Sequence, residues 1–259
     1  TGVSFTDINN GWIVSYNKEI LRTTNGGTSW ESKFSGTNES FYDVFFKDSL
    51  SGFVVGYPDK ILRTSNGGLS WIPQTSGLTS WLESVSFSDW NNGLIVGVHG
   101  TILKTTDGGI NWNSLSSGVY TDLTSVHFVD QNNAFVVGSS GTILKTTNGG
   151  STWTSQSINS QYLYDVFFID SSEGFAVGPY SYLYDTIDGG TNWNSKPTVT
   201  IEDLYDLFFI DKNIGTIVGN NGTILRTTDG GINWIKQSSG TNNFLSSVFF
   251  NNTNNGWAV

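Results

Sequence analysis

The 259-residue chain contains no cysteine. That excludes disulfides, zinc–thiolate sites, iron–sulfur clusters and cysteine nucleophiles. Proline is scarce, with four residues, so the chain is not a low-complexity or disordered segment. Basic residues are few: the only arginines are Arg22, Arg63 and Arg226, and the net charge is −10. A nucleic-acid backbone needs many cationic contacts, so no nucleic-acid partner is expected. No apolar run reaches the ~18 residues of a membrane-spanning helix, so direct membrane insertion is not expected. No signal peptide is visible. His99 and His127 are the only histidines and form neither a metal cluster nor a nucleophile triad, so no metal and no cofactor are expected. Helical periodicity and shifts of composition are absent too, which leaves one domain, 1–259.

What is present is a repeat. Thr105–Trp112, T-T-D-G-G-I-N-W, has six versions, ending at Trp30, Trp71, Trp112, Trp153, Trp193 and Trp234. The tryptophans are 41, 41, 41, 40 and 41 residues apart, and a fixed period of this size marks a repeat architecture. Within the third unit, Val85-Ser86-Phe87, Leu94–Gly97, Thr101–Thr105 and a segment opening at Asn111-Trp112 read as four short strands. Asx- and Gly-rich turns separate them, the signature of an antiparallel meander. Four-stranded units of this length point to an all-β fold, a β-propeller, whose ring closure protects the sheet edges. Blades are expected at 3–40, 41–81, 82–122, 123–162, 163–203 and 204–244, with a partial one at 245–259. This counts six complete blades plus half of a seventh, and a seven-bladed ring is expected if the parent chain is longer. The apolar runs Val44–Phe46, Val166–Phe168 and Val248–Phe250 fit strands covered on both faces.

The boxes fit T-x-[DN]-G-G-x-[STN]-W and resemble the Asp-box, or BNR repeat. With the V-x-F-x-D, G-x-x-V-G and I-L-[KR]-T-T elements, the units are similar to the Ycf48/Hcf136-type repeats of a photosystem II assembly factor. Similar repeats occur in secreted bacterial β-propellers. The resemblance implies a propeller whose box hairpins join the two outer strands, away from the ligand face. It also leaves three functional classes open: a partner-binding scaffold, a Ycf48-like assembly chaperone and an Asp-box glycoside hydrolase. From the secreted relatives, an extracellular or cell-surface location is expected.

The residues themselves offer three candidate features. The box Asx accepts turn amides, the second glycine supplies a positive φ, and the tryptophan buries its ring while its N–H finds a local acceptor. Asp7, Asp48, Asp89, Asp130, Asp170 and Asp211 recur in the first turn and read as turn formers, because their spacing is wrong for a calcium loop. Binding should sit on loops that differ between blades. Aligning the residues before each first-strand valine or leucine gathers Trp81, Tyr162, Phe244, Tyr42, Tyr164, Tyr205, Asp43, Asp165 and Asp206 on one face. Tyr57 and Tyr180, with Tyr16 and His99, join from the second-to-third-strand turns. Aromatic anchors among carboxylates suit a protein or glycan partner. In the same alignment Leu82, Leu123, Leu163, Leu204, Leu245 and Phe41 read as core.

Arg22, Arg63, Lys104, Lys145 and Arg226 occupy one third-strand position, with Asp185 in the fifth unit. They read either as a basic arc for an acidic tail or as pairing between blades with the recurrent aspartates. A hydrolase would need two carboxylates at a suitable separation, available in principle from Asp122, Asp165, Asp203 and Asp206. The three arginines cannot form a sialidase cluster. The expected class is therefore a non-catalytic binding protein, in a larger chain or surface assembly.

Overall fold

A computed structural model describes residues 2–33, 39–158 and 161–259. Six four-stranded antiparallel sheets and one two-stranded sheet follow one another along the chain. Each sheet is ordered as in the sequence, a simple meander. The first blade runs Val3–Phe5, Gly11–Val14, Ile20–Thr23 and Glu31–Lys33. The seventh has only Val248–Asn252 and Asn255–Ala258. The first strand of every blade lines a central cavity. The fourth strand starts one residue past each tryptophan rather than at it, as in Asn113–Ser116. Among the described residues no helix is long and apolar enough to cross a membrane.

The core is divided into layers between neighbouring blades. Phe53 and Val55 of blade 2, for example, pack with Leu82, Val85, Phe87 and Trp112 of blade 3. One aromatic triad recurs through these layers. A ring from the second strand of one blade stacks on the first-strand phenylalanine of the next. That phenylalanine meets its own blade's box tryptophan edge-on. Trp12 lies 3.5 Å from Phe46 with planes 10° apart, and Phe46 meets Trp71 at 82°. Phe135, Phe168 and Trp193 repeat it at 3.6 Å and 87°. Offset and edge-to-face pairs of this kind add to the gain from burial alone.

The same triad closes the ring. Trp257 of the half blade stacks on Phe5 at 3.5 Å, and Phe5 meets Trp30 at 85°. Trp257 Nε1 donates to the Gly26 carbonyl at 3.0 Å, and the Val3 amide to Ser247 Oγ at 3.3 Å. Two inner strands therefore suffice to join blade 6 to blade 1.

The box explains why these contacts are possible. Thr105 Oγ1 accepts the Gly109 amide and donates to Asp107 Oδ1, which in turn accepts the Asn111 amide. The closed turn puts Gly109 at φ +78°, and a Cβ there would run into the Phe53 ring of the preceding blade. The second glycine thus serves backbone conformation and close approach together. The choice between Asp and Asn follows the residue four positions on. Asn25, Asn66 and Asn148 donate to Ser29, Ser70 and Thr152, whereas Asp107, Asp188 and Asp229 accept from Asn111, Asn192 and Asn233. Each Asx is satisfied inside its own turn.

Two expectations about these elements need correction. Five of the box tryptophans do not find local acceptors: Nε1 of Trp71, Trp112, Trp153, Trp193 and Trp234 is buried without a hydrogen bond. Their rings are held by edge-on packing, and the indole donors that bond across blades are Trp12 and Trp257. The basic third-strand residues do reach the next blade, but not its aspartates. Lys145 Nζ donates to the Gly189 carbonyl at 2.6 Å, Arg226 to the Thr253 carbonyl at 3.0 Å, and Lys104 to Ser151 Oγ at 3.3 Å. Arg22 lies over the Trp12 ring, and in blade 2 Lys47, beside Arg63, bonds the Trp90 carbonyl. Asp185 pairs instead with Lys196 of its own blade.

Candidate binding site at the mouth of the axial cavity

The first-turn aspartates accept the amides two and three residues on, as Asp130 does from Asn132 and Asn133. These turns and the boxes share one end of the ring, since the Gly108 amide bonds the Asn91 carbonyl. The other end is built from the second-to-third-strand turns and the connections between blades. There the two loop sets are pressed together. At Gly97 a Cβ would collide with the Trp81 carbonyl, which also accepts the Val98 amide. Asp122 Oδ1 accepts the His99 amide at 2.9 Å, and Asp203 Oδ1 the Tyr180 amide at 2.8 Å. Asp122 and Asp203 therefore brace loops.

Between these loops lies a cavity of about 800 Å³ on the ring axis, within the range of ligand sites. Its lining is tiered because each innermost strand contributes the same repeat positions. At the rim are Tyr16, Tyr42, Glu83, Tyr164, Tyr205 and Phe244. Below them lie Asp43, Ser84, Ser125, Asp165, Asp206 and Ser247, and deeper still Phe45, His127, Phe167, Phe208 and Phe249. The deep phenylalanines explain the unbroken apolar runs: alternate residues face the layer between blades and the axis.

The middle tier links blades around the axis. Asp43 Oδ2 accepts the Val85 amide at 2.9 Å and Ser84 Oγ at 3.1 Å from blade 3. Ser125 Oγ donates to Asp165 Oδ1 at 2.6 Å, Asp165 Oδ2 accepts the Leu207 amide at 3.1 Å, and Asp206 Oδ2 the Val248 amide at 2.7 Å. These donors are neutral, and desolvation disfavours the charged carboxylate. Burial pushes Asp43 up to about 6 despite its hydrogen bonds. Burial, then the charge of Asp206 and a hydrogen bond to it, hold Asp165 well above the usual carboxylate range. Burial and the charge of Asp122 push Glu83 up to about 7. Burial lowers His127 to about 4, so the imidazole is neutral at pH 7; its Nε2 lies 3.2 Å from the Phe168 carbonyl.

Two aromatic arcs flank the mouth. On one side Tyr16 lies 5.1 Å from Tyr42, Tyr42 6.2 Å from Trp81, and Trp81 4.9 Å from Tyr57. On the other, Tyr162, Tyr164, Tyr205 and Phe244 follow at 6.2, 5.4 and 6.4 Å. Burial, followed by the charge of Glu83 and then neighbouring tyrosines, pushes the Tyr42 phenol up to about 12. The sequence-derived face is thus assembled in two parts. Tyr42, Asp43, Tyr164, Asp165, Tyr205, Asp206 and Phe244 line the cavity, whereas Trp81, Tyr57, Tyr162 and Tyr180 stand outside it and are exposed. Glu83 was the residue least marked in the sequence, and its position in the repeat alignment beside Tyr42 was the only signal. The third-strand basic residues contribute nothing to this lining. Among the described residues no three His, Asp or Glu side chains are grouped to hold a metal ion.

Residues 1–73 and 34–117 match the family model described as photosynthesis system II assembly factor YCF48. No curated protein matches the chain. The solved structure of YCF48 bound to D1 peptide has a TM-score of 0.82 at 20% identity, covering 99% of this chain and 86% of that one. YCF48 from Cyanidioschyzon merolae gives 0.80 at 21%, covering 99% and 91%. The Niastella koreensis GH74 enzyme gives 0.78 at 14%, covering 95% of this chain and 48% of that one. At such identities structural likeness speaks for fold alone.

The matches correct the expected extracellular or cell-surface location. The family model and the YCF48 structures belong to photosystem II assembly factors, not to secreted surface proteins. A cysteine-free chain suits several compartments equally, so composition had no power to choose. With a repeat grammar read across the chain, a family match over its first 117 residues and a ring of six full blades and a half blade, the protein is a BNR-type β-propeller similar to the YCF48 proteins.

Proposed function

We propose that this propeller is a non-catalytic scaffold that holds a polypeptide partner at the mouth of its axial cavity, in a role of the assembly-factor type. The observation that carries this is the pair of aromatic arcs flanking an open, polar-lined mouth. Trp81, Tyr162 and Phe244 are exposed there at 46%, 44% and 59%. Rings held in place by neighbouring rings lose little entropy on binding and make good anchors. A relative solved with a D1 peptide supports a peptide rather than a glycan as the occupant.

The carboxylates support a binding role over hydrolysis. Asp206 lies close enough to Asp165 to raise it, and both are tied to backbone amides. Glycosidase pairs stand ~5–9.5 Å apart, with room for a sugar or a water between them. Asp122 and Asp203 are committed to loop amides.

The test is capture from a displayed random-peptide library by the wild type and by a Trp81→Ala/Tyr164→Ala variant. Loss of two anchors should weaken retention at least ~30-fold, at about 2 kcal/mol or more for such anchors. Folding, followed by circular dichroism, should be unchanged. Equal retention by a folded double variant would refute this face as the binding site.

A further inference from the structure

The cavity has an unusual charge balance. Among the described residues no lysine or arginine lines it, and its histidine is neutral at pH 7. Four carboxylates, Glu83, Asp43, Asp165 and Asp206, do line it. None of the ion pairs among the described residues reaches them. A desolvated carboxylate without a counter-charge is costly. The rim adds a second feature that points to the same ligand. Tyr16 and Tyr42, 5.1 Å apart and tilted, stand beside Glu83, whose charge both phenols sense. Tilted electron-rich rings next to a carboxylate are the chemistry that recognises an organic cation.

We propose that the partner's anchor is a lysine or arginine side chain, which enters the mouth between Tyr16, Tyr42 and the Glu83 carboxylate and points its charge toward Asp43, Asp165 and Asp206. This rests on the peptide-binding reading above. A cationic head on an aliphatic stem satisfies both parts of the lining: the stem lies against rings and the head brings a positive charge among the carboxylates. A bare metal ion does not fit, since the carboxylates are not grouped as a ligand set. A neutral sugar would stack on the rings and leave the carboxylates uncompensated. Arrival of a cation favours ionised Glu83, so anchoring releases protons and strengthens as pH rises from 5.5 to 8.

The test uses four immobilised pools of otherwise random seven-residue peptides, fixed at the centre as lysine, arginine, norleucine or glutamate. Wild type, Glu83→Gln and Trp81→Ala are passed over each, with folding checked by circular dichroism. The lysine and arginine pools should retain wild type at least tenfold better than norleucine, and glutamate should retain it least. Glu83→Gln should lose most of that preference. Equal retention of wild type by norleucine and lysine pools, still lost in Trp81→Ala, would overturn the cationic anchor and leave the binding face standing. A lysine preference untouched by Glu83→Gln would overturn this location for the anchor. No retention above the Trp81→Ala background by any pool would overturn both.

Discussion

Replacing Glu83 by glutamine should stabilise the protein at pH 8 and do nothing at pH 4. Glu83 titrates near 7 in the fold, because burial and the charge of Asp122 disfavour its ionised form. An unfolded glutamate titrates near 4.3. The folded chain therefore holds a proton that the unfolded chain has released between these values. Stability from this group is complete below about pH 4.3 and is lost as pH rises through about 7. A shift of this size corresponds to an upper bound of about 4 kcal/mol at 1.36 kcal/mol per unit. Water in the open mouth reduces it, and about 1–2 kcal/mol is expected. For a chain of this length that is roughly 2–8 °C in Tm. The assay is thermal unfolding of both proteins at pH 4, 6 and 8. Wild type should lose stability toward pH 8 more steeply than the variant, with Asp43 and Asp165 adding to the slope of both. Superimposable curves at pH 8 would refute the assignment of Glu83 as a desolvated carboxylate.

Two further outcomes test the scaffold. Gly109→Ala should destabilise far more than Gly118→Ala: both sit near φ +78°, but only at Gly109 does a Cβ strike the Phe53 ring, while Gly118 faces open space. Similar Tm losses in thermal unfolding would deny the box its part in locking blades. Asp107→Asn should lower Tm by setting an amide against the Asn111 amide, and Asp107→Asn/Asn111→Ser should recover it by recreating the Asn–Ser pairing of the first two boxes. Failure of the second change to rescue would show that the pairing is not what selects Asp or Asn.

Much of this architecture was legible because the period is rigid. The tryptophan spacing set the number of blades, and the positions before each first-strand valine predicted buried Leu82, Leu123, Leu163 and Leu204, all fully buried. The same alignment found Asp43, Asp165 and Asp206. Sequence could not show what each residue meets in the neighbouring blade, since that partner lies about 40 residues away at a register set only by packing. Hence the stacking of Trp12 on Phe46, and the capture of Lys145 by a carbonyl rather than an aspartate, emerged only in three dimensions. The site was half legible for the same reason. Repeat position tells which end of a blade a residue occupies, but not whether Trp81 points into the mouth or stands beside it. Asp122 and Asp203 looked like free carboxylates until their loop amides were in view.

The opposite end of the ring supplies a stringent control, because it too exposes apolar groups, including Trp90 at 60% and Leu69 at 63%. The most direct measurement of the central claim is site-specific photocrosslinking to a captured peptide, with p-benzoylphenylalanine placed either at Tyr162 on the cavity-mouth end or at Trp90 on the box end. Crosslinks from position 162 and none from position 90 are the predicted result. Crosslinks from position 90 alone would place the partner on the box end and contradict the account.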